Sequence, residues 1–343
     1  MNGQKTPCTL KDWILLTRPW SVTAPLVPFL VGLGFAFGTL GIEPGGWFRW
    51  SLALVSAILL VLSCNLFNTW GDETSGVDRM PGAFLTTPQI QEGKITLRQT
   101  FIFGAVLFVL AGLVGLPTLL YATPDGGRLN WALLAGALVG FFGAVNYSTG
   151  VKYKYRGLGV VMVALLQGFL YVFVVLALLM PANMNYKLAY LFDAGRCPDC
   201  SPSASGLIAF FLLLALPVAS LVGVILHGND MRDIATDRAA GIHTLASRLG
   251  PKGALIVFYA LHLLPYGVPL LALTLVTSTG EWRNGWAFVL PFCALPLTIR
   301  LLRHARRDYR ANPRAPAWLD CEKGSGGVHF LFGLLYALAL ALV

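Results

Sequence analysis

We predict an all-α fold for this chain: a polytopic membrane protein built as a bundle of about nine transmembrane helices. Of its 343 residues, 56% are hydrophobic and only 12% are charged, and the mean hydropathy is +0.68. About a quarter of the residues in a soluble domain are charged, so this composition excludes a soluble fold. Apolar runs of about twenty residues, which is the length that crosses a bilayer as a helix, recur along the whole chain.

The apolar runs set the positions of the predicted helices. We place the nine spans near residues 20–40, 50–70, 99–121, 130–149, 158–180, 206–228, 253–275, 285–303 and 326–343. They form a single transmembrane domain over residues 1–343, with cap loops on the cytoplasmic side. Several runs contain proline or glycine, which is tolerated where neighbouring helices cover the freed backbone groups.

Lysine and arginine are distributed unevenly between the loops. With nine spans, 20 of the 25 basic residues fall on the side of the N-terminus and 5 fall on the other side. Basic residues collect in cytoplasmic loops, so we expect a multi-pass protein of the cell (inner) membrane, with the N-terminus inside and the C-terminus outside. The net charge of +9 then reflects loops that contact membrane lipid, and we expect no nucleic-acid partner.

A polar stripe ends the second predicted span. Asn68 and Asp72 are four residues apart, Asn65 lies three residues before Asn68, and Asp78 follows shortly after. On a helix, such spacing puts the side chains on one face. Polar groups at the end of an apolar helix are costly in a membrane and mark functional sites. We therefore expect this stripe to bind a ligand.

A second polar stripe ends the sixth predicted span. Asn229, Asp233 and Asp237 again fall at four-residue intervals. The predicted topology puts both stripes on the cytoplasmic face, four helices apart. This arrangement indicates a weak internal repeat, with one unit at about 18–157, a second at about 158–303, and a final helix at about 326–343.

Two groups of oxygen ligands on one membrane face predict a divalent-cation site. Mg²⁺ prefers oxygen ligands, takes one or two carboxylates, and completes its shell with water and substrate phosphates. Neither stripe contains histidine or cysteine at the spacing of a zinc site. The predicted metal ligands are Asn68, Asp72, Asp78, Asp233 and Asp237.

A basic and aromatic cluster, the segment from Tyr147 to Gly159, follows the fourth predicted span on the same membrane face. Its cations could neutralise phosphate oxygens, and its glycines allow close approach of the backbone. The predicted diphosphate-binding residues are Asn68, Arg79, Lys94, Lys154, Arg156, Asn229, Arg232 and Arg238.

These segments resemble the UbiA superfamily of intramembrane prenyltransferases, and the resemblance covers nearly the whole chain. The matching residues are Arg18-Pro19, the first stripe with Gly76, the segment from Tyr147 to Gly159, and the run from His227 to Leu245. The last run is particularly similar to the menaquinone-biosynthesis branch. The resemblance implies Mg²⁺-dependent transfer of a polyprenyl chain from a polyprenyl diphosphate to an aromatic acceptor, 1,4-dihydroxy-2-naphthoate in that branch.

The resemblance also implies roles for single residues. The expected catalytic residues are Asp72, Asp233, Lys154 and Tyr147. Three positions depart from the bacterial menaquinone pattern, namely Thr69, Trp70 and Val160. These departures leave open another acceptor: 4-hydroxybenzoate, homogentisate, a chlorin, haem, glycerol phosphate or a carotenoid.

A different class of function also fits polar residues inside a membrane domain. A small-molecule transporter would place its binding site near the middle of the bilayer, on broken helices, whereas the acids here are predicted at one face.

The outer loop carries Cys197 and Cys200. With no second cysteine pair, a disulfide or no specific role is favoured over a metal site.

Overall fold

The computed structural model describes residues 7–40, 46–80, 88–121, 131–179, 204–279 and 285–343. Throughout these ranges the ordered elements are helices, and they contain no strand. The all-α prediction is therefore confirmed. The loop that carries Cys197 and Cys200 lies outside the described residues.

Twelve α-helices follow one another in the described parts of the chain. They are α1 (Leu10–Leu16), α2 (Thr23–Phe35), α3 (Trp47–Ser75), α4 (Leu97–Tyr121), α5 (Trp131–Asn146), α6 (Gly159–Val163), α7 (Tyr171–Leu179), α8 (Ala204–Arg232), α9 (Ile234–Ala239), α10 (Leu245–Thr279), α11 (Leu295–Ala311) and α12 (Cys321–Leu342). Shorter 3₁₀ turns and two π-helical stretches, Ala36–Leu40 and Ala164–Leu170, connect or extend them.

Eight helical segments in the described ranges are long and apolar enough to cross a membrane. They coincide with eight of the nine predicted spans. The fourth predicted span corresponds to a shorter apolar helix, Leu133–Asn146, so the count of nine is approximate. Several helices extend beyond the apolar runs, because α3 continues to Ser75 and α8 continues to Arg232. Asn68 and Asp72 therefore lie in the last turns of α3 and Asn229 lies in the last turn of α8, whereas Asp233 and Asp237 follow the end of α8.

The largest hydrophobic core holds α8, α10, α12 and α2 together. Phe258 of α10 and Phe332 of α12 are almost completely buried in it, together with Val27 of α2 and Leu221 of α8. Close approach of α2 and α12 needs small residues, since a Cβ on Gly34 would meet the carbonyl oxygen of Ala337 at 2.1 Å. This half of the bundle is densely packed.

The other half of the bundle is more open. Helices α3 and α4 pack side by side, and Ser63 and Ser56 of α3 donate hydrogen bonds to carbonyl oxygens of α4 at 2.7 and 2.8 Å. Helices α3, α4, α5 and α7 line a large cavity. Asn68 and Asn229 of the two polar stripes line this cavity together with Lys154, and the fold thereby joins an apolar chamber to a charged site.

Candidate active site

Lys154 is the centre of the charged site. Its Nζ atom donates hydrogen bonds to Oδ1 and Oδ2 of Asp72, at 2.9 and 2.8 Å, and to Oδ1 of Asn68 at 3.0 Å. Asp72 also accepts a 2.8 Å hydrogen bond from the hydroxyl of Tyr155. Asn68, Asp72 and Lys154, which were all predicted as site residues, are buried. The structure therefore brings together residues that are more than 80 positions apart in the sequence.

The backbone after α5 is shaped to deliver Lys154 to Asp72. Lys152 adopts a left-handed conformation (φ 54°), and a 3₁₀ turn over Tyr153–Arg156 ends at Gly157, with φ 80°. Glycine adopts this left-handed conformation without strain, whereas a lysine there is uncommon. The amide of Lys154 also donates to the carbonyl of Tyr147 at 3.1 Å. The turn thus points one lysine into the bundle.

Electrostatics keep Lys154 protonated. Burial alone would lower the pKa of Lys154, but the negative charges of Asp72, Asp237 and Asp230 raise it above its usual value. Burial, and then Asp72, raises the pKa of the Tyr155 hydroxyl. Its proton therefore stays on the oxygen and is donated to Asp72. The site is an ion pair supported by a neutral hydrogen-bond donor.

Aromatic rings flank the Lys154 ammonium. Its Nζ atom lies 5.6 Å from the centre of the Tyr155 ring and 6.0 Å from that of Tyr147. Ring faces at about 6 Å attract a cation through the quadrupole of the π system. The same faces can stabilise a cation that develops on a bound substrate.

Arg232 occupies the second polar stripe. Its guanidinium donates to both carboxylate oxygens of Asp233, at 2.8 and 2.7 Å, and to Oδ1 of Asn229 at 2.5 Å. A second carboxylate, that of Glu322 at the start of α12, accepts from the same guanidinium at 2.8 Å. The predicted ligands Asn229 and Asp233 are therefore held by an arginine of their own segment.

Asp237 and Asp78 lie in environments that favour their neutral forms. The helix is interrupted at Asp233, and Asp237 lies one turn further, in α9, where it accepts a 3.0 Å hydrogen bond from the hydroxyl of Thr244. Burial raises the pKa of Asp237 to about 7. Burial and then the charge of Asp72 raise the pKa of Asp78 to about 6. Both carboxyls would ionise more readily beside a bound cation.

Four of the predicted diphosphate-binding cations make no contact with the Asp72–Lys154 pair in the described part of the chain: Arg79, Lys94, Arg156 and Arg238. Arg79 pairs with Glu73 at 3.0 Å, with 65% of its side chain exposed. Lys94 pairs with Glu92 at 2.9 Å and with Asp12 at 3.3 Å. Arg238 donates to the carbonyl of Ser247. Arg156 is exposed, and its backbone carbonyl accepts a hydrogen bond from Arg248. The structure does not bring these four into the Lys154 cluster.

The cavity below the charged site has a volume of about 910 Å³. Lys154, Asn68 and Tyr147 line one end, and along α3 the lining continues through Val61 and Ala57 to Ala53. Fifteen residues separate Asn68 from Ala53, so the chamber runs about 22 Å along the helix at 1.5 Å per residue. Its side walls are mostly aliphatic and glycine-rich. Such a chamber fits a long apolar chain attached to a charged group.

The side chains of the site supply only part of the ligand set that a hard cation such as Mg²⁺ needs. The site offers carboxylate and amide oxygens, which are the ligands that Mg²⁺ prefers. In the described part of the chain, no three His, Cys, Asp or Glu side chains stand close enough together to hold a metal ion. A cation bound here would therefore need oxygens from a bound phosphate or from water.

Three residues that the structure places at or near the site were assigned no site role from the sequence. Tyr155 contacts Asp72, and Asp230, directly after Asn229, is buried. Arg18 lines the cavity and donates to Thr69 at a long 3.4 Å. The left-handed backbone of Arg18, with φ 55°, could not be seen in the sequence. For Asp230 a signal existed, since it directly follows Asn229 of the second stripe.

Comparison with known proteins decides the family. The profile of the UbiA prenyltransferase family matches residues 26–319. This chain belongs to the UbiA prenyltransferase family. Among its relatives, the Homo sapiens UbiA prenyltransferase domain-containing protein 1 is 29% identical over 330 residues, which are 95% of this chain and 84% of that protein. The Drosophila melanogaster homolog is 26% identical over 332 residues, or 96% of this chain and 79% of that protein.

Solved UbiA homologs share the fold. A homolog from Archaeoglobus fulgidus bound to GPP and Mg²⁺ superposes with a TM-score of 0.57 at 16% identity, over 97% of this chain and 100% of that chain. The apo homolog from Aeropyrum pernix K1 gives a TM-score of 0.56 at 17% identity, over 91% and 95%. The UbiA prenyltransferase architecture therefore extends over the whole described bundle.

The positions that depart from the bacterial menaquinone pattern have defined places in this UbiA protein. Thr69 is buried and accepts the hydrogen bond from Arg18. Trp70 packs its ring against Phe101 of α4, at 5.3 Å between ring centres. Val160 is buried beside the close approach of α6 to Gly223 of α8. Thr69 contacts a cavity-lining residue, whereas Trp70 and Val160 pack between helices.

Proposed function

We propose that this UbiA prenyltransferase transfers a polyprenyl chain from an isoprenyl diphosphate to an aromatic acceptor, and that the acceptor is 1,4-dihydroxy-2-naphthoate. The observation that carries the proposal is the position of Lys154 and Asp72 at the charged end of a 910 Å³ apolar cavity. A diphosphate needs the charged end, and its hydrocarbon chain needs the apolar chamber. The binding of GPP and Mg²⁺ by the Archaeoglobus fulgidus homolog supports the same assignment.

Different residues of the chain bind the diphosphate and the metal ion. Lys154 supplies a positive charge to the phosphate oxygens, and we propose that Asn68, Asp72, Asp78, Asp233 and Asp237 hold Mg²⁺. When bound, Mg²⁺ supplies charge neutralisation to the diphosphate leaving group. Arg232 is the second cation of the site. Positive charge fixed in a water-poor pocket stabilises a leaving diphosphate more than it would in water.

The reaction follows from the charge distribution. The bond between C1 of the chain and the bridging oxygen breaks, and its electron pair leaves with the diphosphate. The allylic cation at C1 is stabilised by the faces of Tyr147 and Tyr155. A ring carbon of the acceptor then forms the new carbon–carbon bond. Loss of the carboxylate as CO₂, or of a proton from an unsubstituted carbon, restores the aromatic ring.

The orientation of the protein in the membrane is also part of the proposal. The bias of basic residues supports a cytoplasmic site and N-terminus, in the cell membrane, with the C-terminus outside. The internal repeat that would relate residues 18–157 to residues 158–303 stays a prediction. Transport is the less favoured function, because a transport site would lie near the middle of the bilayer, whereas the charged residues here lie at one end of the cavity.

An assay of the purified protein tests this function. Labelled prenyl diphosphate is offered with Mg²⁺ and a panel of aromatic acceptors, and the products are identified by mass. We expect a product from 1,4-dihydroxy-2-naphthoate that has gained the prenyl chain and lost CO₂. A product formed only from another acceptor would retain prenyl transfer and correct the acceptor. The absence of product from every acceptor would overturn the proposal.

A further inference from the structure

Helix α12 presents a strip of four residues to the cavity. Lys323, Gly326, Gly327 and Phe330 all line it, and their spacing of three, four and seven residues places them on one face of the helix. A Cβ added to Gly326 or Gly327 would meet no atom of the described residues within 4 Å. The middle of the strip is therefore a flat, open surface, with a cation at one end and an aromatic ring at the other.

The segment that leads into α2 faces this strip. The two helices run parallel, and a Cβ on a glycine would meet the other helix at 2.1 Å at two successive positions: at Gly333 against Val27 and at Gly34 against Ala337. Trp20 and Gly326 each lie seven residues before the first of these contacts, so they stand at about the same level. Trp20 also lines the cavity. The strip and Trp20 thus form two walls of a slot, which we call the α2–α12 slot.

The α2–α12 slot is open on its outer side. Trp20 is 46% exposed and Phe330 is 40% exposed, although both line the cavity. A molecule in the slot would therefore contact two aromatic side chains and remain connected to the apolar chamber.

The cationic end of the slot lies beside the charged end of the cavity. A Cβ on Gly228 of α8 would lie 2.9 Å from the carbonyl carbon of Cys321 and 2.9 Å from the amide nitrogen of Glu322. The next residue of each helix, Asn229 in α8 and Lys323 in α12, lines the cavity. A ligand bound by Lys323 would therefore lie near the residues proposed to bind the diphosphate.

The charge of Lys323 is available to a ligand. Three cations line the cavity among the described residues. Two of them, Lys154 and Arg18, donate hydrogen bonds to side chains of α3. The acid beside Lys323 in the sequence, Glu322, is bound by Arg232 at 2.8 Å. Lys323 itself is exposed, and no acid in the described part of the chain forms an ion pair with it.

We propose that the α2–α12 slot binds the aromatic acceptor and that Lys323 binds the carboxylate of that acceptor. A planar ring fits a surface that carries no side chains and is flanked by aromatic rings, and an ammonium group pairs with a carboxylate through charge-assisted hydrogen bonds. The inference rests on the proposed function, and it makes Lys323 the residue that selects acceptors with a carboxylate. An acceptor without a carboxylate would contact the aromatic rings and gain nothing from Lys323.

Binding of acceptor analogues can be measured without prenyl transfer. The full chain in detergent is dialysed to equilibrium with 1-hydroxy-2-naphthoate or with 1-naphthol, which has the same ring and hydroxyl group but no carboxylate. Prenyl diphosphate is left out, and protein-free micelles give the background. The first variant is Lys323→Met, and its matched control is Lys252→Met. Lys252 is an exposed lysine of α10 that does not line the cavity.

We expect the wild type to bind 1-hydroxy-2-naphthoate more tightly than 1-naphthol. Lys323→Met should weaken binding of the naphthoate by about tenfold, as expected for the loss of a hydrogen bond to a charged group, and leave binding of 1-naphthol unchanged. Lys252→Met should bind both probes as the wild type does. A second variant, Gly327→Leu, fills the slot and should weaken binding of both probes. Its control is Gly267→Leu, at an exposed glycine of α10.

Three results would overturn the proposal. They are a wild type that binds both probes equally, a Lys323→Met variant that retains naphthoate affinity or loses affinity for both probes alike, and a Gly327→Leu variant that binds both probes as the wild type does. The first and third apply even when Lys323→Met does not fold. Prenyl transfer by the same wild-type preparation separates this question from the proposed function. Product formation from 1,4-dihydroxy-2-naphthoate, with unchanged probe binding in Lys323→Met, would refute only the role of Lys323.

Discussion

Replacing Lys154 by methionine tests the electrostatic centre of the site. Methionine keeps a long unbranched side chain and removes the charge. The ammonium is buried, with 9% of the side chain exposed, and it holds Asp72 through two hydrogen bonds. Two unit charges 4 Å apart interact by about 4 kcal/mol at an effective dielectric constant of about 20. A diphosphate would feel a comparable attraction, which corresponds to about a thousandfold in rate.

The expected loss is smaller than this limit. To reach the diphosphate, Lys154 gives up part of its contact with Asp72, so some of the attraction is offset. We therefore expect Lys154→Met to lower kcat/KM for the prenyl diphosphate by about 10²-fold, within the range for removal of one fixed donor. The assay is steady-state prenyl transfer at saturating acceptor and Mg²⁺.

Lys152→Met is the matched control. Lys152 is exposed two residues away, with its Nζ atom 6.0 Å from the centre of the Tyr155 ring. An exposed charge is screened by water and salt, so this variant should keep kcat/KM within about threefold of the wild type. Equal values for Lys154→Met and the wild type would refute the assignment of Lys154 as the phosphate-facing cation.

Three further predictions concern the same site. Asp72→Ala should abolish Mg²⁺-dependent transfer while the protein remains folded, as measured by product formation and thermal unfolding; substantial turnover would contradict a two-stripe metal site. Because the pKa of Asp237 is raised to about 7, its carboxylate is increasingly protonated below that pH, and the apparent affinity for Mg²⁺ should fall by up to about tenfold per pH unit; a flat Mg²⁺ titration between pH 5.5 and 8 would contradict this. A Cβ on Gly140 meets open cavity space, so Gly140→Leu should reduce turnover of long prenyl donors more than of short ones. The control is Gly267→Leu on an exposed face, and an equal effect of both variants on all donors would argue against a chain-binding cavity.

The sequence was sufficient for the fold because the bilayer restricts the possible structures. Backbone groups in hydrocarbon must be paired within each span, so an apolar run of about twenty residues predicts a helix directly. The fourth predicted span, at 130–149, corresponds to the shorter helix Leu133–Asn146. The interruption at Asp233 was not predictable, because Asn229, Asp233 and Asp237 keep the spacing of a continuous helix.

The candidate site was predictable in part. Spacing alone selected Asn68 and Asp72, and the resemblance to the UbiA superfamily selected Lys154; the three lie together in the structure. The sequence did not show which arginine pairs with the predicted acidic ligands. Arg232 and Arg238 lie in the same segment, but Arg232 contacts Asp233 whereas Arg238 donates to the carbonyl of Ser247. Such choices depend on backbone direction, which spacing does not encode.

The most direct test of the account is a structure of the protein with Mn²⁺ and an unreactive thiolo analogue of a prenyl diphosphate. We predict diphosphate density in contact with Lys154, Mn²⁺ between the phosphates and the carboxylates of the two stripes, and the hydrocarbon chain in the cavity bounded by α3, α5 and α7. A diphosphate bound away from Lys154 and Asp72, or a hydrocarbon chain lying outside this cavity, would contradict it.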